Sequence, residues 1–259
     1  MSRAGGATPH LFDDWDLIAK RIHQSKHRVI FLDFDGTLVR IARLPGQVQL
    51  TARTRRVLQK LAARPEVTIA VISGRRRADL QHFIGIPKIK YMGLYGWERN
   101  GSASLSAPAL AALARARKTL SAKLPAYPGV WIEPKGLSFS IHLLGSSAES
   151  QRRVRRMVKT RMRPLERMLR VISNLRDMEV VPVSIGDKGI GVTKTLGEPR
   201  LAGALPIYFG DDMSDEAAFM AARKGITILV GDRRPTRARF FLNGPAEVSA
   251  ALCRLEAIL

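Results

Sequence analysis

The sequence has one cysteine, Cys253, in 259 residues, which rules out an internal disulfide framework and suits a reducing compartment. Its neighbours Val248, Leu252, Leu255 and Ile258 make that thiol read as helix packing. There is no long uncharged apolar run, so no bilayer-spanning helix and no membrane partner are expected. Met1 to His10 is small and polar and lacks the apolar core of a signal peptide, so a cytoplasmic protein is expected. Acids are scarce: 22 Asp and Glu face 43 Lys and Arg, a formal charge of +21. Such an excess attracts nucleic acid, acidic lipid or an anionic substrate. No zinc-finger spacing, RNA-binding aromatic motif or recognition-helix pattern accompanies it, so a nucleic-acid partner is not expected. The plain alternative for the charge is a solvated surface. His10, His23, His27 and His82 show no ligand spacing, and no internal repeat is present. Nothing argues for more than a monomer.

Hydrophobic residues make up 46% of the chain, enough for one large domain or two modest ones. Val29-Ile30-Phe31-Leu32-Asp33-Phe34-Asp35-Gly36-Thr37-Leu38 organises the rest. Its apolar run reads as a strand buried on both faces, as in parallel sheets. Sites of parallel sheets gather at the carboxyl ends of strands, where Asp33 and Asp35 fall just before a turn at Gly36. Strand alternation sends both acids to one side and Phe34 to the other. A carboxylate can attack phosphorus covalently, and a neighbouring acid can serve as general acid and base. The bland alternative is a polar turn after a core strand.

Residues 11–24 carry Leu11, Trp15, Ile18, Ala19 and Ile22 at helical spacing. A loop from Arg43 to Gln49 follows the first strand, and Thr51 is placed to cap a helix running through Ala63. Val67 to Ile72 is a second buried strand, ending at Ser73-Gly74-Arg75. Strand, helix, strand is the unit of a parallel α/β sheet. A hydroxyl, a glycine and an arginine ahead of a helix make a phosphate cradle or a common turn. A third strand is expected over 88–96, then a helix within 102–126. Leu137, Phe139, Ile141 and Leu143 alternate with Ser138, Ser140 and His142, which suits an antiparallel sheet with one polar face. A helix over 149–170, kinked at Pro164, would turn Val154, Met157, Val158, Leu165, Met168 and Leu169 inward, with Arg152 to Arg163 crowding its surface. A short strand from Met178 to Val183 follows. The core resumes with a helix opening at Gly186-Asp187-Lys188-Gly189, a strand Pro206 to Phe209 and then Gly210-Asp211-Asp212-Met213-Ser214-Asp215. Ile226 to Val230 is a last buried strand, and a helix from about Pro245 closes the chain. Acids at several strand ends are oxygen ligands of the kind Mg2+ uses when it shares a phosphate, and Lys188 adds a point charge for the same oxygens.

Asp33-x-Asp35-Gly-Thr37, Ser73-Gly-Arg75, Lys188-Gly and Gly210-Asp-Asp-x-x-Asp215, in this order, resemble the motifs of haloacid dehalogenase-like phosphotransferases. The resemblance implies an α/β fold, a Rossmann-like core of mainly parallel sheet flanked by helices, with a small inserted α+β cap. It puts the core at 1–102 and 185–259 and the cap at 103–184. It implies that Asp33 becomes an aspartyl phosphate and that Asp35 is the general acid and base. Asp33, the backbone carbonyl of Asp35 and Asp211 would bind Mg2+, with Asp212 and Asp215 auxiliary. Thr37, Ser73 and Lys188 would hold the phosphate, and Arg75 the rim of the site as a substrate contact. Trp131-Ile-Glu133-Pro-Lys135-Gly, the later Glu179-Val-Val-Pro182 and Asp187-Lys188-Gly189 resemble the trehalose-6-phosphate phosphatase family over most of residues 28–256. On that resemblance Glu133, Lys135 and Glu179 grip sugar hydroxyls of a small sugar phosphate.

The chain departs from the family in one motif, where Tyr95-Gly96 stands in place of a histidine before glycine. A tyrosine donates a hydrogen bond but does not become a cation near neutral pH. The turn from Val183 to Gly186 is also spelled differently. Whether His142 faces a substrate is left open. The expected activity is hydrolysis of trehalose 6-phosphate to trehalose and phosphate. Its alternatives are another capped sugar phosphatase (for sucrose phosphate or a glycosyl phosphoglycerate), a sugar phosphomutase, or a non-enzymatic basic adaptor. A surface ion pair is the plain alternative for Glu133 and Lys135.

Overall fold

The computed structural model describes residues 8–42, 45–99, 105–173 and 177–259. Residues 1–7, Arg43 at the head of the expected loop, and 102–104, where the inserted helix and domain are expected to begin, lie outside them. The strands are β1 (Arg28–Leu32), β2 (Val67–Ile72), β3 (Lys90–Met92), β4 (Trp131–Pro134), β5 (Phe139–His142), β6 (Leu169–Ser173), β7 (Asp177–Pro182), β8 (Leu205–Gly210), β9 (Ile226–Val230) and β10 (Phe240–Leu242). The helices are α1 (Trp15–His23), α2 (Ala52–Ala63), α3 (Arg77–Ile84), α4 (Ala107–Ser121), α5 (Ala148–Met162), α6 (Lys188–Leu196), α7 (Glu216–Ala221) and α8 (Pro245–Ile258). None of the described helices is long and apolar enough to cross a membrane.

The chain divides into two compact units, one drawn from residues 1–100 and 187–259 and the other from 101–186. In the first unit a parallel sheet runs in the order β10-β9-β8-β1-β2-β3. Helices cover both of its faces, which is why its strands read as continuous apolar runs. In β1, Ile30 and Leu32 pack into a layer with α1, α2, α3 and α8, while Val29 and Phe31 pack into a layer with α6 and α7. Thr51 caps α2 as its sequence indicates, Oγ1 accepting from the Thr54 N–H at 3.1 Å. Asp187 caps α6 in the same way, accepting from the Ile190 N–H at 3.1 Å.

Two sequence expectations fail in this unit. The third strand is shorter than 88–96, because Lys88, Leu94 and Tyr95 take positive φ of 67°, 47° and 60°. Left-handed residues cannot continue an extended strand, and Leu94–Gly96 forms a 3-10 turn instead. The edge strand β10 is too short to leave a periodic signal.

The second unit is an antiparallel sheet, β4-β5-β7-β6, with α4 and α5 on one face. Phe139, Ile141, Leu143, Met178 and Val180 point to the helices and pack on Leu113, Leu120, Val154 and Val158. The helix expected over 149–170 ends earlier: α5 stops at Met162 and one 3-10 turn, Arg163–Leu165, follows. Pro164 lacks the N–H that another helical turn needs, and it ends the helix where a kink was expected. Leu169–Ser173 becomes an edge strand on β7, and Met168, expected inward, is exposed.

Candidate active site

The turn after β1 sets the geometry of the first unit's acidic cluster. Asp33 extends the β1–β8 ladder by one bond, its N–H donating to Phe209 O at 2.9 Å. Gly36 then takes φ +84°, and a Cβ built there would lie 2.0 Å from Asp211 Oδ2. Only glycine lets the Asp211 carboxylate come so close to the Asp33 loop. Asp33, Asp211 and Asp215 each offer a carboxylate oxygen, all within 4.8 Å of one another. Lys188, the first residue of α6, enters between two of them. Its Nζ donates to Asp33 Oδ1 at 2.7 Å and to Asp215 Oδ1 at 2.8 Å.

Asp215 is fully buried, and both of its oxygens are taken. Oδ1 also accepts from Tyr208 OH at 2.7 Å, and Oδ2 accepts from the N–H groups of Asp211 and Asp212 at 3.1 Å each. Asp212 Oδ1 accepts from the Ser214 N–H at 2.7 Å, so Asp212 and Asp215 form a capping box that fixes the loop carrying Asp211.

Electrostatics follow from this crowding. Burial, with Asp215 and Asp212 beside it, raises the Asp33 pKa to about 7 although Lys188 pulls it down. Burial and the neighbouring Asp33, Asp212 and Asp215 hold Asp211 well above the usual carboxylate range. Burial works against the Lys188 ammonium, but Asp215 and Asp33 outweigh it and its pKa lies well above the ordinary lysine value. One ammonium against three carboxylates leaves two negative charges, the charge of one divalent cation. Clustered carboxylate oxygens are also the donor type that hard divalent ions take, so the residues fit such an ion.

Asp35 lies apart from this bridge. Its carboxylate is gripped by a guanidinium fork, Arg75 Nε to Oδ2 at 2.6 Å and an Arg75 terminal nitrogen to Oδ1 at 2.7 Å. Arg75 itself lies over the rings of Phe34 and Phe83, at 5.4 and 5.2 Å. Thr37 is fully buried and its Oγ1 has no hydrogen-bond partner among the described residues. Ser73 is buried at the end of β2, its Oγ accepting from the Arg75 N–H at 3.2 Å. Tyr95 is buried, and its N–H donates to Ser73 O at 2.9 Å. The next residue, Gly96, packs directly on Gly191 of α6.

Glu133, Lys135 and Glu179 lie in the second unit. Lys135 Nζ is 3.5 Å from Glu179 Oε2, while Ser138 Oγ donates to Glu179 Oε1 at 2.8 Å. Glu133 Oε2 is 2.8 Å from His142 Nε2. His142 thus shares the sheet face of Glu133.

Sequence reasoning missed Tyr208 and the Arg75–Asp35 fork. Tyr208 sits inside an apolar strand run and reads as core; only the acid seven residues on gives its hydroxyl a purpose. The fork joins residues 40 apart, which no local pattern reports.

The sequence matches the trehalose-phosphatase family over residues 31–246. Trehalose-phosphate phosphatases of Mycobacterium tuberculosis and Mycobacterium avium are 34% and 35% identical over 246 and 251 residues, covering 89% of this chain in both cases. The chain spans 62% of the length of these relatives. The solved C-terminal domain of the C. albicans trehalose-6-phosphate phosphatase superposes with a TM-score of 0.86 at 21% identity, over 97% of this chain and 99% of that one. At that identity the likeness shows the fold alone.

Proposed function

Because the chain belongs to the trehalose-phosphatase family, we propose that it hydrolyses trehalose 6-phosphate to trehalose and phosphate through an aspartyl phosphate on Asp33. The observation that carries this reading is the buried bridge from Asp33 through Lys188 to Asp215, beside Asp211. An anionic side chain can attack an anionic ester only where fixed positive charge offsets their repulsion. Lys188 supplies such a charge 2.7 Å from the attacking carboxylate, and Asp215 keeps its ammonium in place. The unpaired Thr37 hydroxyl, together with Ser73, holds the phosphoryl oxygens. Asp35 takes up a proton once one bond of the Arg75 fork has opened, gives it to the departing sugar oxygen and later takes one from water. Arg75 orients that carboxylate with its fork and bounds the substrate at the rim.

Asp33, Asp211 and the main-chain carbonyl of Asp35 would hold Mg2+, with Asp212 and Asp215 supporting them. When bound, the ion supplies positive charge that neutralises phosphoryl oxygens. The second unit is the cap, and its Glu133, Lys135 and Glu179 read the sugar hydroxyls, a task suited to charged groups that fork hydrogen bonds.

Phosphate release from trehalose 6-phosphate, sucrose phosphate and a glycosyl phosphoglycerate, with and without EDTA, tests the proposal. Trehalose 6-phosphate should show the highest kcat/KM, and EDTA should abolish turnover. A higher kcat/KM on a rival sugar would overturn the sugar assignment, and EDTA-resistant turnover the metal.

A further inference from the structure

The face of the second unit's sheet that is turned away from α4 and α5 holds more than the three charged residues already discussed. Strand register puts Glu133, Ser140 and Glu179 directly opposite one another on β4, β5 and β7. The next row holds Trp131, His142 and Asp177. Directly opposed residues point to the same side of a sheet, so the two rows make one continuous surface. Ser140 is at its centre, 1% exposed, and its Oγ has no hydrogen-bond partner among the described residues. A buried unpaired hydroxyl destabilises a fold unless something outside the chain pairs with it. Ser249 in α8 is unpaired as well, but it has no such surroundings. Ser140 lies between two carboxylates whose other contacts, Ser138 and Lys135 for Glu179 and His142 for Glu133, leave it out.

Trp131 is the second feature. It is a large aromatic ring at 37% exposure, beside the polar residues that β4, β5 and β7 put on this face. The imidazole of His142 stacks on it, with centroids 4.0 Å apart and planes 14° apart, while His142 Nε2 holds Glu133. A pyranose ring has the matching chemistry: hydroxyls around its edge and C–H bonds across its faces. Charged forks take the first and aromatic rings the second.

We propose that Trp131 and Ser140 are further sugar-binding residues, the indole taking the C–H face of a pyranose ring and Ser140 Oγ pairing with one of its hydroxyls. This rests on the reading of Glu133, Lys135 and Glu179 as sugar contacts, and it adds a class of recognition they lack. Those three carry charge and would grip any polyol. A ring platform beside them selects for a cyclic sugar and tells a two-ring phosphate from a one-ring one.

The experiment uses the full chain and the variants Trp131→Ala, Trp131→Phe and Ser140→Ala. KM and kcat are measured for trehalose 6-phosphate and glucose 6-phosphate, Tm is recorded for each variant, and free trehalose is titrated against intrinsic fluorescence. Ser140→Ala should raise the KM for trehalose 6-phosphate about fivefold, leave kcat unchanged and keep or raise Tm, because the unpaired hydroxyl is gone. Trp131→Ala should raise that KM about tenfold, with Trp131→Phe near the parent. Trehalose should change the parent's fluorescence, and Trp131→Phe should lose that change although Trp15 and Trp97 remain. A Ser140→Ala variant with lower Tm and unaltered KM would make Ser140 structural and overturn its assignment. Unaltered KM together with an intact trehalose response in the Trp131 variants would overturn the platform. If trehalose 6-phosphate proved inert while another disaccharide phosphate was turned over with the same KM increases, these assignments would stand and only the sugar's name would change. If the parent neither turned over any sugar phosphate nor responded to trehalose, both readings would fall.

Discussion

The same residue type does opposite work in the two units. Lys188 is 3% exposed and lies within 2.8 Å of two carboxylates, one of them fully buried. Lys135 keeps 16% of its side chain exposed and lies 3.5 Å from Glu179. The first arrangement is the kind that phosphoryl transfer requires. Charges held dry and immobile interact strongly and need no rearrangement as the reaction proceeds. The second suits recognition of neutral hydroxyls, where a longer contact from a lysine that keeps some exposure is exchanged for water or a hydroxyl at little cost. On the proposed function, reactive charge belongs to the preorganised strand ends of the first unit and sugar recognition to the sheet face of the second.

The largest effect expected from that contrast is at Asp33. Asp33→Asn removes the attacking oxygen while leaving Lys188 its second partner, Asp215. Turnover should fall on the order of 10^4-fold or more, with the chain still folded by circular dichroism. Retained turnover would exclude the aspartyl phosphate. No single change at Glu133, Lys135 or Glu179 should approach this, because the role proposed for them is binding the sugar.

Replacing each lysine by methionine compares the units directly. Lys188→Met leaves Asp33 and Asp215 buried without their cation, a loss of about 3–5 kcal/mol. Its kcat should also drop about 10^2–10^3-fold. Lys135→Met should raise KM about tenfold and cost less stability than Lys188→Met, because it takes a 3.5 Å partner from one buried carboxylate, Glu179, to which Ser138 still donates. Chemical denaturation and steady-state kinetics on both variants decide it. Equal losses of stability would mean that the second unit's polar face is as rigidly built as the first unit's cluster.

The first unit was more legible in the sequence than the second, and for the same physical reason. Parallel strands buried on both faces leave unbroken apolar runs, and β1, β2, β8 and β9 fall where those runs predict them. Asp33, Asp211 and Lys188, widely separated in sequence, were linked by motif resemblance, and the structure brings their charged groups into one cluster. Local pattern failed where tertiary contacts decide the backbone. Leu94 and Tyr95 are held left-handed by bonds to Arg75 O and Ser73 O, and no alternation of side chains signals that. Leu169 and Arg170 end the helix expected over 149–170, yet beyond Pro164 they open the strand that pairs with β7. The Ser140 row needed strand register, which depends on which strands meet. His142, left open by the sequence, is placed beside Glu133 by that same register.

The smallest effect tests why the first unit's cluster is acidic in excess. Asp33 has its pKa raised from 3.8 to about 7, and Asp211 lies well above its ordinary value. Between about pH 4 and 7 the folded metal-free protein therefore holds protons that the unfolded chain releases, so its stability falls as pH rises through that window. Asp211→Asn removes one of the repelling charges. The metal-free variant should melt a few degrees above the parent at pH 8, with a flatter pH slope. Added Mg2+ should reverse the order. A ligand at a hundredfold excess over its Kd stabilises by about 2.7 kcal/mol, and the parent should gain that increment while Asp211→Asn loses most of it. Glu133→Gln, with its carboxylate in the other unit, should melt with the full Mg2+ increment. An Asp211→Asn variant that is destabilised without metal and still responds fully to Mg2+ would show that the acid is a structural cap and that the cation is held elsewhere.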